Sequence, residues 1–312
     1  MEDFSFNFKK TGLFNELQTQ IINGNLSHAT LISSPDEMSL TCFTILLANT
    51  LVCNQVCGNC EHCIKVKSHT HPDILVYPKG KSFLVSDALD IVENAYKKPI
   101  LSNIKVIIIN GVDQSIAGQN KILKILEEPP KNVFFILNTT NTKTVLDTIM
   151  SRVQSYSLAP FSQNELSEIL TLHKIEASKK VIAFSEGFLG KAISLCQNPK
   201  FDEIFDFVYK IFTQLKNSKD IVNYSKQLAD KENFALELEL LFFFYRQALY
   251  FLNNQKTSLD IDFASLNLNN KMISQILKRL CQAEKALYAN VNLNLICDNL
   301  LLHILEEKYL WK

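Results

Sequence analysis

The chain has 312 residues, 47% of them hydrophobic, with 32 basic side chains against 32 acidic ones. That length accommodates two or three domains with real cores, and the balanced charge excludes a global field drawing the chain to nucleic acid or a membrane surface. Plentiful aliphatic and aromatic residues exclude a disordered chain, and the most apolar stretch, Phe234 to Leu252, carries Glu237, Glu239 and Arg246 and reads as a buried bundle helix.

Met1 is followed by Glu-Asp and a mixture of Phe and Lys, with no apolar signal core. Four of the eight cysteines crowd between positions 53 and 63, unlike a secreted disulfide framework. A soluble, cytoplasmic protein is expected.

In chain order, the runs Ala29–Ser33, Ile74–Tyr77, Val106–Ile109 and Val133–Leu137 have the length and β-branched content of strands. Helical stretches separate them. A helix capped by Ser86 places Leu89, Val92 and Tyr96 on one face. A second, over Gln114 to Glu128, turns Ile116, Leu123 and Leu126 inward and Lys121, Lys124 and Glu128 outward, and stops at Pro129-Pro130. Strands alternating with helices predict an α/β domain with a mostly parallel sheet, here bounded at residues 1–160. Beyond Phe161 the β signal fades. Residues 161–205 read as a small helical lid with Gly187 and Gly190 at its turns, and 206–312 as an all-α bundle containing Phe234–Leu252, Lys271–Tyr288 and Asn292–Tyr309.

Two stretches carry chemistry. Cys53, Cys57, Cys60 and Cys63 follow the spacing C-x3-C-x2-C-x2-C, which suits a tetrahedral structural zinc and leaves no open position for a substrate. His62, His69 and His71 are the weaker alternative ligands. "LISSPDEMSLT", residues 31–41, has the strand–loop–helix outline of a phosphate loop. Such a loop needs glycines to wrap phosphates, a lysine for their charge and Ser or Thr for magnesium. Ser34, Glu37 and Ser39 stand at the glycine positions and Leu40 at the lysine position, and only Thr41 matches. Asp36 and Glu37 add negative charge that repels a triphosphate.

Taken with "THPD" (70–73), "NKILKILEEPP" (120–130), "SRV" (151–153) and "AEKALYANVNLNL" (283–295), these features resemble the delta-prime family of bacterial DNA polymerase III clamp-loader subunits, which are AAA+ proteins. The resemblance implies a P-loop NTPase-like AAA+ domain with its zinc module at 53–63, a lid, and a C-terminal collar domain for hetero-oligomerisation. The three-residue gap between Cys53 and Cys57 is shorter than the eight usual in that family. An active AAA+ strand would end in Asp-Glu, but "KVIIINGVDQ" ends in Asn110-Gly111, and Asp113 is expected to cap the next helix. In "EGFLGKA", Gly190 stands in place of the lid arginine of active relatives, with Lys191 one position off.

Arg152, after Ser151, lies where these subunits carry an arginine finger, a planar fork suited to γ-phosphate oxygens in a neighbour's site. The implied function is a non-hydrolysing component of the DNA polymerase holoenzyme. Its implied partners are the tau/gamma-type ATPase subunits and the delta subunit, and through them the sliding clamp and primed DNA. Two rival readings are an active AAA+ clamp-loader ATPase and a stand-alone zinc-containing nucleic-acid-binding protein. Lys121, Lys124 and Lys131 read as a solvated face, and Asn290 and Asn292 as helix-capping residues with an alternative as collar hydrogen-bond donors.

Overall fold

Short β-branched runs form five strands that join into one parallel sheet, in the order β2-β3-β4-β1-β5. The computed structural model describes residues 4–289 and 291–309, so Asn290 lies outside the described residues. Contacts divide the chain into two units. One runs to Phe161 and includes Phe188–Lys191; the other comprises Ser162–Gly187 and the chain from Ala192 onward.

The first unit holds α1 (Gly12–Ile22), β1 (Ala29–Ser33), α2 (Glu37–Val52), α3 (Glu61–Lys67), β2 (Ile74–Tyr77), α4 (Val85–Ala95), β3 (Lys105–Ile109), α5 (Ile116–Glu127), β4 (Val133–Thr139), α6 (Asp147–Met150) and β5 (Gln154–Ser157). Every residue of β3 is buried and β4 nearly so, the continuous apolar pattern of strands covered on both faces. Helix α2 is apolar nearly all round because it packs against β1, β3 and β4 on one side and α1 on the other.

Three expectations change. The residue capping α4 is Leu84, because Asp87 reaches back to accept from the Leu84 N–H at 3.0 Å. Its core face is then Ala88, Ile91 and Ala95, while Leu89 and Tyr96 are exposed. In α5, Leu126 is buried and Leu123 packs against the core as expected, with Ile122 and Ile125 beside them, but Ile116 is exposed. Strand β5, Gln-Ser-Tyr-Ser, carries no apolar signal and forms by pairing with the free edge of β1, Thr30 opposite Gln154.

The second unit holds α7 (Gln163–Leu172), α8 (Lys179–Phe184), α9 (Leu189–Cys196, whose first residues belong with the first unit), α10 (Phe201–Gln214), α11 (Ser218–Leu228), α12 (Phe234–Leu252), α13 (Asn270–Tyr288) and α14 (Leu293–Tyr309). Its core is aromatic: Phe212 packs on Phe244 and Tyr245, and Phe184 on Phe201 and Phe243. Gly187 is left-handed (φ +87°) at a turn, whereas Gly190 lies inside α9. Among the described residues no helix is long and apolar enough to cross a membrane.

Candidate functional site

Strand order reverses around β1, and in open parallel sheets the crevice at the carboxyl ends of strands beside such a switch is where ligands bind. Here that crevice is lined by the loop after β1, Asn110-Gly111 after β3, and Asn138-Thr139 at the end of β4. Each has its polar groups committed.

The loop runs from Ser34, whose N–H donates to Thr139 O at 3.3 Å, to the first turn of α2. Asp36 lies between them, 9% exposed. Its carboxylate accepts from the Ser39 hydroxyl and from the Gly190 N–H at 2.9 Å. Its own N–H donates to Ser34 Oγ at 3.3 Å. Leu40, at the lysine position, is 1% exposed and packs into the core, so no cation stands over the loop at that position. Thr41 turns its hydroxyl back to Glu37 O at 3.0 Å.

At the end of β3, Asn138 stitches two strands together. Its Oδ1 accepts from Gly111 N–H at 2.9 Å and its Nδ2 donates to Asn110 Oδ1 at 2.5 Å. The groups at this strand end are thus neutral amides bonded to each other and to the backbone. Gly111 is left-handed (φ +61°), and a Cβ there would collide with the Gln114 side chain. Asp113 lies in a short 3-10 turn, Val112–Gln114, ahead of α5; the capping residue is Ser115, whose hydroxyl accepts from Gly118 N–H at 3.0 Å.

Ser151 closes α6, and Arg152 follows at the corner before β5. The guanidinium pairs with Glu127 Oε1 at 3.1 Å and donates to Thr148 O at 2.9 Å and to Ser151 Oγ at 3.2 Å. The Arg152 side chain is 30% exposed, and its Nε–H is buried without a partner among the described residues. Gln119, fully buried, positions this corner: it donates to Thr144 O at 3.2 Å and accepts from Leu146 N–H at 2.8 Å. A polar residue on the buried face of α5 was the available sequence signal for it; Asn138, at a strand's carboxyl end, was similarly detectable.

The cysteine knuckle follows α2. The sulfurs of Cys53, Cys57, Cys60 and Cys63 all lie within 4.8 Å of one another, and those of Cys53 and Cys57 are 3.9 Å apart. A tetrahedron of thiolates around zinc separates its sulfurs by about 3.8 Å, so the four could hold a metal. Cys60 Sγ accepts from the Cys63 N–H at 3.5 Å at the start of α3. Backbone N–H groups of Asn59 and Cys60 lower the Cys57 thiol to about 6, while burial raises Cys63 to about 12. Lys9 Nζ and Gln18 Nε2 pin the loop by donating to Val56 O at 3.0 Å and Asn54 O at 3.1 Å.

Two of the histidines turn elsewhere. His62 Nδ1 and His71 Nε2 share a hydrogen bond at 2.9 Å, and the Asp73 N–H donates to His71 Nδ1 at 3.2 Å. Burial lowers the His71 pKa. Asp73 itself is fully buried and accepts from the N–H groups of Ile100, Leu101 and Ser102 at 2.6–2.7 Å. Burial opposes its charge, yet those N–H groups outweigh it and hold the carboxyl below its usual range. Lys121, Lys124 and Lys131 are exposed, and Asn292 caps α14 by accepting from Asn294 N–H at 3.0 Å.

A family model described as "DNA polymerase III, delta subunit" matches residues 9–162. The chain is 26% identical to DNA polymerase III subunit delta' of Bacillus subtilis (strain 168), over 94% of this chain and 97% of the relative. It is 30% identical to DNA polymerase III subunit delta' of Escherichia coli (strain K12), over 59% of each. Among solved structures, a DNA polymerase III gamma subunit-related protein of Thermotoga maritima aligns over 94% of this chain and 99% of its own, with a TM-score of 0.43 and 16% identity.

Proposed function

We propose that this chain is a subunit of the bacterial DNA polymerase III clamp loader that hydrolyses no ATP itself and lends Arg152 to ATP held by a neighbouring subunit. The contrast between two positions carries this reading. Leu40 is buried where a phosphate-binding lysine would stand, while Arg152 sits at an accessible corner. Asn110 and Asn138 support it, since neither can hold magnesium as a carboxylate would.

In this reading the neighbour is a tau/gamma-type ATPase subunit, with the delta subunit in the same ring, and the sliding clamp and primed DNA are engaged through the complex. Residues 161–205 act as the lid and 206–312 as the collar segment. An arginine supplied in trans stabilises negative charge spreading over the transferred phosphoryl oxygens, an effect of about 10³-fold or more on turnover. Gln119 and Ser151 position that arginine and do not touch the nucleotide.

We further assign zinc to Cys53, Cys57, Cys60 and Cys63, in a closed structural role supported by the all-sulfur donor set. Freshly reduced protein should contain one zinc per chain by metal analysis, and a value well below one refutes the assignment. The finger is tested in the reconstituted loader. Arg152→Ala should lower ATP turnover by about 10³-fold, with clamp loading falling alongside it. Unchanged turnover would overturn the proposal.

A further inference from the structure

A nucleotide-binding loop is normally completed by its ligand, because phosphate oxygens satisfy backbone N–H groups that otherwise lack acceptors. Here the loop's own Asp36 supplies the anion, and it takes its hydrogen bonds from a side-chain hydroxyl and a remote helix N–H instead of the loop amides. Its carboxylate is 9% exposed and accepts from both the Ser39 hydroxyl and the Gly190 N–H. Gly190 is the second residue of α9, so its N–H is one of the first-turn donors with no acceptor inside its own helix, where an anion is favoured.

The fit depends on glycine. A Cβ at position 190 would collide with the Asp36 carboxylate and with Met38 Cβ. The Ser34 hydroxyl fixes the near side by accepting from Asp36 N–H at 3.3 Å. Donors, acceptor and clearance thus come from two separate parts of the sequence, residues 34–39 and Gly190, and meet at one carboxylate.

We propose that Asp36 is a built-in substitute for a nucleotide phosphate: it fills the loop after β1 and fastens residues 188–191 there, with no nucleotide required. An anion supplied by the chain itself loses no translational freedom on binding, so it holds its place against a free ligand. An incoming phosphate would have to displace it and, until then, face a like charge. The inference rests on the non-hydrolysing reading only in naming what the carboxylate replaces.

Hydrogen–deuterium exchange of the full chain tests it at the amides of residues 188–191. In the Asp36→Ala variant these amides should exchange about tenfold faster or more, while β3 and β4 keep their protection. The Ser39→Ala variant removes one of the two donors to the carboxylate and should raise the rate about threefold. Protection at 188–191 equal to wild type in Asp36→Ala overturns the proposal. Should that variant fail to fold, an unchanged rate in Ser39→Ala overturns it equally. Wild-type protein with Mg-ATP added separates the two readings. Exchange at 188–191 that responds to ATP sinks the clip. ATP that binds, by equilibrium dialysis, without altering that exchange sinks the nucleotide-free reading and leaves the clip standing.

Discussion

The loop after β1 and the corner at Arg152 belong to the same unit and are built on opposite principles. In the loop, Asp36 and Ser39 are buried and bonded to each other, and the Gly190 N–H finds its acceptor inside the chain. At the corner, Arg152 is partly exposed, leans on a more exposed Glu127, and keeps one N–H without a partner among the described residues. A buried donor left unpaired costs about 1–3 kcal/mol, and an exposed ion pair contributes about 0–1 kcal/mol. The loop is therefore at rest as it stands, whereas the arginine, although bonded to Thr148 O, Ser151 Oγ and Glu127, keeps its Nε–H unpaired among the described residues. In the proposed reading the loop is a closed site and the corner one kept ready, and different elements hold them: α2 with Gly190 the first, α5 and α6 the second.

The severest challenge to that contrast is Arg152→Lys in the assembled loader. Lysine keeps the charge but loses the planar fork, so ATP turnover should fall by about 10²-fold or more. Turnover close to wild type would mean that only a point charge is needed at the corner. Next comes the knuckle, which joins the far end of α2. Cys60→Ser should release the metal and lower unfolding stability by about 3 kcal/mol or more in chemical denaturation. Protection at 188–191 should survive, because the loop is held by its own hydrogen bonds; its loss would show that the loop depends on the knuckle.

Asp73→Asn provides a control remote from both regions. It places an amide against three N–H donors and should cost about 3 kcal/mol at neutral pH. The folded-state pKa of Asp73 lies below the ordinary value of 3.8, so its stabilisation is full above that value and disappears as pH falls through the folded pKa. The gap between wild type and variant should accordingly be flat from neutral pH to about 4 and shrink in more acidic solution. A gap that widens on acidification would contradict the carboxylate nest. The smallest effect is expected from Glu127→Gln, which should change stability by less than about 0.5 kcal/mol. A loss of 2 kcal/mol or more in the same unfolding measurement would show that Arg152 is a structural ion pair, and would erase the difference between the two regions.

The strands of the sheet were legible wherever they carry an apolar, β-branched run, even in the half-exposed edge strand β2. Ala29–Ser33 and Ile74–Tyr77 form as predicted, and β3 and β4 extend the predicted runs at their ends. Strand β5 was invisible because Gln154–Ser157 is polar and partly exposed, and it becomes a strand only when β1 offers an edge. Leu89 and Tyr96 of α4 and Ile116 of α5 were misplaced, because a large apolar side chain was read as an interior one, while Val92, Leu123 and Leu126 pack inward as expected. Small Ala88 and Ala95, beside Ile91, are what fit against the sheet. Within the candidate sites, the four cysteines were found from spacing alone, and the structure brings their sulfurs together.

Residue types and short spacings determined the sheet class, the helical second half, the metal-binding potential of the cysteines and the presence of Leu40 and Asn110 rather than charged groups at their positions. Those features are local: a side chain either carries the required group or does not. Tertiary structure decided the rest. Asp36 reads in sequence as a charge that repels phosphate, and only the approach of Gly190, 154 residues away, turns it into the anion that closes the loop. Gln119 reads as one polar residue on a helix, and only the fold brings it against Thr144 and Leu146 to set the corner of Arg152. Hydrogen bonds between segments far apart in the chain leave no periodicity to read, so their partners emerge only when the sheet has set its strand order.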